Sequence, residues 1–495
     1  MSTAAEQAQT AAAANQTLEA PSLLDQVVAA TRPQNSQEQS RAKDYFGQFL
    51  QHVVKPGQVV SKDVETNVKS WIAEIDKKLS AQLNEILHDP GLQQLESTWR
   101  GMHYLVHQSE TGETLKIRVL NVKKQELFKD LEKAVEFDQS NLFKKIYEEE
   151  YGQLGGQPYG MLIGDYEFGR SAEDVSLLKM ISGVAACAHA PFVANASSKL
   201  FNFDSYTELA NPRDLAKIFD SVEYAAWKSF RDSEDSRYVA LTLPRVLSRL
   251  PYGQNFKRVT EFNFEEEVDG KEHNNYSWMG AAWAYGARIT DAYAKYGWLA
   301  RTRGVEGGGK VEGLPVHTFP TDDGDVAMKC PTEIAISDRR EFELSNLGFL
   351  PLLHSKGKDF AVFMGAQSCQ KPKTYFDPAA NANAELSAKF NLILNTSRFA
   401  HYLKVMARDK IGSFMELGQC SSWLNSWLQN YVVATPELVG DDVKAKKPLA
   451  EAKVTVRAVP GKPGSYEAVA YLRPHFQLET LATSMRLVAE VPKKT

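Results

Sequence analysis

The chain has 495 residues, 43% hydrophobic and 24% charged, the composition of a globular protein with mass for more than one core. Lys and Arg number 57 against 62 Asp and Glu, a net charge of −5 that lacks the basic excess of a dedicated nucleic-acid binder. The four cysteines, Cys187, Cys330, Cys369 and Cys420, form no C-x-x-C pair, which excludes a zinc ribbon or a thioredoxin-type motif and reads as small core residues in a reducing cytoplasm.

Residues 1–20 are rich in Ala, Gln and Thr and contain no Lys or Arg, so they read as a disordered start and not as a signal peptide. An apolar island follows, Leu23, Leu24, Val27 and Val28, and then a polar stretch over 31–40 with Pro33. An island between polar linkers buries nothing locally and reads as an arm that docks elsewhere. From Arg41 the apolar residues Phe46, Phe49, Leu50 and Val53 recur at helical spacing. A longer helix is predicted over 63–87, with Val64, Val68, Trp71, Ile72, Ile75, Leu79 and Leu83 on one face, ended by Asp89-Pro90-Gly91. The next helix holds Leu95, Trp99, Met102, Leu105 and Val106.

The period then changes. Leu115, Ile117 and Val119 alternate and predict a strand over 114–122, before a helix over 128–151. Met161-Leu162-Ile163 reads as a strand, Ser171 as the N-cap of a buried helix over 174–188 with Asp174 at the capping-box position, and 191–194 as a strand. Asn211-Pro212 opens another helix, and 238–243 is a strand. Strands and helices alternating in this way predict an α/β layer with a mostly parallel sheet. Trp278, Trp283, Tyr285, Tyr293, Tyr296 and Trp298 read as a packed helix, 304–325 as an exposed loop, and 333–352 and 359–366 as strands.

After the turn-prone stretch 371–378 one long helix is predicted over 384–411. A second over 414–433 places Trp423, Trp427 and Tyr431 in one stripe, and residues 444–447 read as a solvated basic loop. Residues 453–459 alternate as a strand, 460–464 form a turn, and 465–472 and 478–491 are strand-like. The expected organisation is an arm and linker over 1–42, an α/β body over 43–370, and a C-terminal helix and β-ribbon domain over 371–495.

No catalytic, cofactor or metal site is legible. The stretch from Gly304 to Lys310 has P-loop spacing, but Val311 stands where the magnesium-binding hydroxyl belongs and no strand and helix flank it. Asp322, Asp323 and Asp325 lack EF-hand spacing and read as a turn, and Glu265-Glu266-Glu267 reads as a charged surface. Asp165 and Glu167 follow a strand, where α/β enzymes often place acids, yet no His or Cys is near them in sequence. No stretch has the roughly 18 uninterrupted apolar residues of a membrane span.

Several stretches resemble the large subunit of the type VI secretion sheath, the TssC/VipB family. They are Ser22-Leu23-Leu24-Asp25, Trp99-Arg100-Gly101-Met102, the run from Gly164 to Phe168, and the run from Pro191 to Ala196. They continue with the runs from Ser236 to Arg245, from Arg249 to Gly253, and from Tyr471 to Glu479. The resemblance spans roughly 22 to 490 and carries no catalytic chemistry. It implies a multi-domain α/β sheath fold, non-enzymatic and without cofactors. It implies a small partner subunit of the TssB/VipA type, helical stacking with copies of itself around an inner tube of Hcp rings, and assembly on a membrane-anchored baseplate. Contraction then expels the tube with its effectors, and a ClpV-type AAA+ ATPase dismantles the sheath through the small subunit. A tail-sheath protein of a phage-like particle is the alternative within the same class, and a cytoplasmic α/β hydrolase or nucleotide enzyme the alternative outside it.

Under the sheath reading, the 23–30 island and the 453–459 strand are expected to form β-contacts between subunits. Leu23, Leu24, Val27 and Val28 belong to the arm, and Val454 and Val456 are expected to face the partner's core, joined by Leu478, Leu487 and Val488. Trp423, Trp427 and Tyr431 either anchor the small subunit or form a helix–helix core within the chain.

Overall fold

The computed structural model describes residues 23–53 and 64–477, apart from 212, 269, 271, 322, 323, 412–415, 459, 461–465 and 476. The chain divides into two compact units, residues 1–89 with 251–268, and residues 90–250 with 269–495.

The first unit is built on α1 (Leu23–Ala30), α2 (Ser36–Val53) and α3 (Val64–Leu87). The apolar island is helical here, which corrects the extended reading for the chain by itself. Leu24, Val27 and Val28 stand at three-to-four spacing, so a helix gathers them on one face while satisfying its own backbone. Val27 and Val28 are buried, and Asp25 pairs with Lys43 of α2 at 2.7 Å. Asn84 of α3 clamps the 251–268 segment: its amide donates to the Glu265 carbonyl (3.3 Å) and its oxygen accepts from the Glu267 N–H (3.2 Å). Glu266, expected on a charged surface, is buried instead and accepts from the Tyr252 N–H at 2.8 Å.

The second unit contains α4 (Pro90–His107), α5 (Ala172–Ala188), α6 (Ala281–Tyr296), α7 (Phe390–Asp409) and α8 (Leu417–Gln429). Its main sheet is formed by β1 (Leu162–Phe168), β2 (Phe192–Ala196), β3 (Val239–Leu243), β4 (Lys310–Val311), β5 (Leu350–His354) and β6 (Ala361–Phe363). Their spatial order is β1-β2-β3-β5-β6-β4. The first four are parallel, and β6 runs antiparallel to both β5 and β4. Side chains alternate between two cores, as pleating requires. Phe192, Ala194, Val239, Leu241 and Leu353 join the core under α5, while Val193, Ala240, Leu350 and Leu352 join the core under α6. The mostly parallel α/β layer expected from the sequence is thus present, with helices on both faces.

Local chemistry explains several boundaries. Ser171 caps α5 by accepting from the Asp174 N–H at 3.1 Å, but Asp174 does not return to the Ser171 amide. It accepts from the Gly169 N–H and pairs with Lys124, both at 2.6 Å. The helix expected from Asn211 begins later, at Leu215, where Asp214 accepts from the Ala216 N–H. The strand expected over 114–122 is unpaired. The 128–151 helix is divided into a helix over Lys124–Lys133 and shorter helical turns up to Gly152. The 333–352 strand is a helix over Asp338–Asn346 followed by β5, with Asp338 and Glu341 in the first turn, where carboxylates favour a helix. The loop over 304–325 contains β4 and a short strand over Thr318–Pro320, and the basic 444–447 stretch ends a short helix over Asp441–Lys446. The long 384–411 helix is broken at Ala388–Lys389, because this turn pairs with the chain after β6: the Ser368 hydroxyl donates to the Ala388 carbonyl (2.6 Å) and the Phe390 N–H to the Ala366 carbonyl (2.7 Å).

α4 meets α6 across Gly101. A Cβ there would stand 2.3 Å from Cδ1 of Trp283, whose indole N–H is held by Asp165 at 3.0 Å. Gly101→Ala should therefore lower the unfolding free energy by about 1–3 kcal/mol through forced displacement of the helix. Urea unfolding reads this directly, and an unchanged midpoint would contradict the contact.

Candidate subunit interface

The C-terminal ribbon consists of β7 (Leu449–Ala458) and β8 (Tyr466–Pro474), paired antiparallel from Leu449↔Pro474 to Ala458↔Tyr466. Alternation along β7 sends Val454 and Val456 into a core with Leu424, Leu428, Phe399 and Trp298. This core belongs to the same chain, so the expectation that Val454 and Val456 face a partner's core is corrected for the chain by itself. They lie under α8.

The two edges of the ribbon differ. On β7, Asn425 of α8 donates to the Val454 carbonyl and accepts from the Val454 N–H, both at 2.8 Å. Ser421 adds a bond to the Val454 carbonyl at 3.2 Å, and Gln429 one to the Ala452 carbonyl at 3.3 Å. A helix thus covers this edge and its side chains replace a neighbouring strand. On β8 no strand but β7 pairs among the described residues. Residues 467–471 are exposed, Val469 at 49% and Tyr471 at 59%, so the strand offers both an open edge and apolar side chains. A groove of about 630 Å³ between the ribbon and α7 is lined by Ala400, Leu403, Lys404, Ala468, Val469 and Leu472.

The helix expected over 414–433 ends at Gln429, so Trp423 and Trp427 lie on α8 and Tyr431 just beyond it, and all three contribute to the same core. Trp427 lies 6.1 Å from Phe399 and 5.9 Å from Tyr402 between ring centroids, and Tyr431 lies 5.0 Å from Trp298. Trp423 packs against the core with its ring 5.1 Å from the Lys410 ammonium. The side chain of Leu23, and Leu478, Leu487 and Val488 altogether, lie outside the described residues. Leu24 is half-buried on α1 beside the buried Val27 and Val28. The contacts of α8 with β7 were not legible in sequence, because Asn425 acts as a strand substitute only once the helix lies along β7.

The residues with enzyme-like placement are otherwise engaged. Asp165 accepts from Trp283 and from the Thr98 hydroxyl at 2.6 Å. Burial pushes the Glu167 carboxyl up in pKa, opposed by Arg245 at 3.8 Å. Glu333 is fully buried, and burial alone would raise its pKa. Its bonds from His273 Nε2 (2.9 Å) and Arg245 (2.7 Å) bring it instead to about 2, so it stays ionised as a structural anchor. The glycine-rich loop spends its amides on β6 and itself, Gly304 N–H donating to Phe363 O (2.7 Å) and Gly309 N–H to Gly304 O (2.9 Å). Lys310 pairs with Glu312, so no phosphate cradle forms. Asp322 and Asp323 lie outside the described residues, and among those described no three His, Cys, Asp or Glu are grouped to hold a metal. Of the cysteines read as core residues, Cys369 alone is buried; Cys187 is exposed, and Cys330 and Cys420 are partly so.

The described residues thus combine a sheet flanked by two cores with a two-stranded ribbon that has one open edge. Two family models match the chain: EvpB/VC_A0108, tail sheath N-terminal domain, over residues 69–370, and EvpB/VC_A0108, tail sheath gpW/gp25-like domain, over residues 379–491. It is 52% identical over 479 residues to the type VI secretion system sheath protein TssC1 of Pseudomonas aeruginosa, covering 96% of each chain. A likeness to a chain of the anti-feeding prophage baseplate, six-fold symmetrised, covers 64% of this chain and 66% of that one at 9% identity; its TM-score of 0.33 gives it no weight. The chain belongs to the TssC/VipB family of type VI secretion sheath proteins.

Asn425→Ala should strip Val454 of two hydrogen bonds, leaving its carbonyl only the bond from Ser421, and cost about 1–3 kcal/mol. Thermal unfolding of the full-length chain measures this. A variant as stable as wild type would show that the β7 edge does not depend on α8.

Proposed function

We propose that this chain pairs with a small sheath subunit of the TssB/VipA type. The pairs stack helically with further copies of themselves around an inner tube of Hcp-like rings. Contraction of this sheath drives the tube and its effectors out of a bacterial cell. The chain works in the cytoplasm on a membrane-anchored baseplate, and a ClpV-type AAA+ ATPase recycles it by gripping the small subunit. Among the described residues, no helix is long and apolar enough to cross a membrane.

The observation that carries this reading is the unequal pair of ribbon edges. A head-to-tail contact that does not close on itself generates a helix of subunits. Such a contact needs a donor and an acceptor on different parts of the chain. The open edge of β8 is the acceptor, taking a strand by main-chain pairing. The 23–30 segment of a neighbouring copy, with Leu23, Leu24, Val27 and Val28, is the donor. It must first unwind from α1 and uncover two buried valines, at about 1.5–3 kcal/mol each. The new strand pairing and side-chain burial offset this cost. The half-buried faces of Trp423, Trp427 and Tyr431 are where the small subunit rests.

Co-expression with the neighbouring small-subunit gene, followed by negative-stain electron microscopy, tests the reading. Wild type should give long hollow tubes that neither chain gives alone. Val469→Lys with Tyr471→Lys, and separately a deletion of residues 1–30, should leave heterodimers on gel filtration but no tubes. Discrete particles from wild type would contradict the sheath. Normal tubes from the double variant would contradict the edge, and normal tubes from the deletion would contradict the arm.

A further inference from the structure

One face of α4 is packed and the opposite one meets solvent. Gly101 and Leu105 are buried, and Gly101 abuts Trp283 of α6. His103 and His107 stand two positions further along, about 200° around the helix, and both are exposed. Four residues apart, they lie one above the other. Their rings stack with centroids 3.7 Å apart and planes 21° from parallel. The His107 Nδ1 lies 3.0 Å from the His103 carbonyl oxygen. A carbonyl only accepts, so Nδ1 carries the proton and Nε2 keeps its lone pair. Ligating imidazoles are held in this way, one nitrogen fixed by an acceptor and the other aimed at the ion.

We propose that His103 and His107 form a divalent transition-metal site on the solvent face of α4, for an ion that favours imidazole such as Zn²⁺, Ni²⁺ or Cu²⁺. An ion about 2.0–2.1 Å from each of two nitrogens holds them roughly 3–3.4 Å apart. Rings already stacked at 3.7 Å reach that separation by a small rotation about soft torsions. The surroundings favour a cation. His107 is the last residue of the 18-residue α4, where the ends of the aligned peptide dipoles are negative. The one Arg of α4, Arg100, is paired with Glu96 at 2.7 Å. The spacing is also that of the two helical histidines of H-E-x-x-H zinc sites. Tyr104 stands where that motif has its glutamate, so the pair binds an ion without the hydrolytic base.

Two imidazoles leave the remaining coordination positions to water. Such a site exchanges its ion readily and stays open to a further ligand, unlike the closed four-ligand sites that hold a fold together. The order of affinity should place Cu²⁺ above Ni²⁺ and Zn²⁺, and Mg²⁺, which prefers oxygen, should not compete. The proposal does not rest on the sheath reading.

The test is calorimetric titration of the untagged full-length chain with Ni²⁺ at neutral pH, after treatment with EDTA and dialysis. Wild type should take up one Ni²⁺ per chain at micromolar concentration. His103→Gln and His107→Gln should each weaken that uptake about tenfold or more, since even the loss of a group that orients a ligand costs as much. Both side chains are exposed and lie outside the two cores that flank the sheet, so the far-ultraviolet circular dichroism of the variants should match wild type. In a second readout, Ni²⁺ should slow the modification of His103 and His107 by diethyl pyrocarbonate, followed by peptide mass spectrometry, and leave His475 unaffected. No uptake by wild type at micromolar Ni²⁺, uptake unchanged in either variant, or no protection of the two histidines would overturn the proposal.

Discussion

A strand has two hydrogen-bonding edges, and each must be paired, covered or left as a template. The C-terminal ribbon meets this constraint unequally. Asn425, Ser421 and Gln429 of α8 cover the β7 edge, and β8 carries an open edge with Val469 and Tyr471 on its surface. An isolated two-stranded ribbon is marginal in water, so this one is stable because α7 and α8 support its inner face. The same helix that stabilises the ribbon fixes which edge remains available.

A contractile tube also needs bodies that stay rigid while the connections bend. Two cores sandwich the main sheet, and their alternating side chains make the sheet an interior wall. The segment after β3 is fastened from below by Glu333, which binds Arg245 and His273 and is held ionised by them. Removing one member would leave a buried charge without its partner, the costly way to break such a group. The α4–α6 contact at Gly101 is equally intolerant of change.

Much of the body was legible because burial on both faces leaves a sequence mark. The strands near 162, 192 and 239 and the helix over 172–188 follow from short apolar runs, turn residues and the Ser171 cap. The misreadings share a cause. The 384–411 pattern is helical throughout, yet the Ala388–Lys389 turn is taken by Ser368 and Ala366, partners distant in sequence. The 333–352 apolar residues suit a strand or a helix, and the core under α5 selects the helix for Leu344. The 23–30 island is short enough for either state, and in the chain by itself the helix wins because it satisfies its own backbone. In the C-terminal core, Trp427 and Tyr431 were visible as a stripe, but whether a stripe faces inward or outward depends on what packs on it.

The account turns on whether the outer edge of β8 is paired in the assembled state. Amide hydrogen exchange over residues 466–474, compared between unassembled subunits and intact tubes, measures this directly. The outward N–H groups of β8 should exchange rapidly in the free subunits and become strongly protected in the tube. Equal exchange in both states would contradict strand donation at this edge and place the contacts that build the tube elsewhere on the chain.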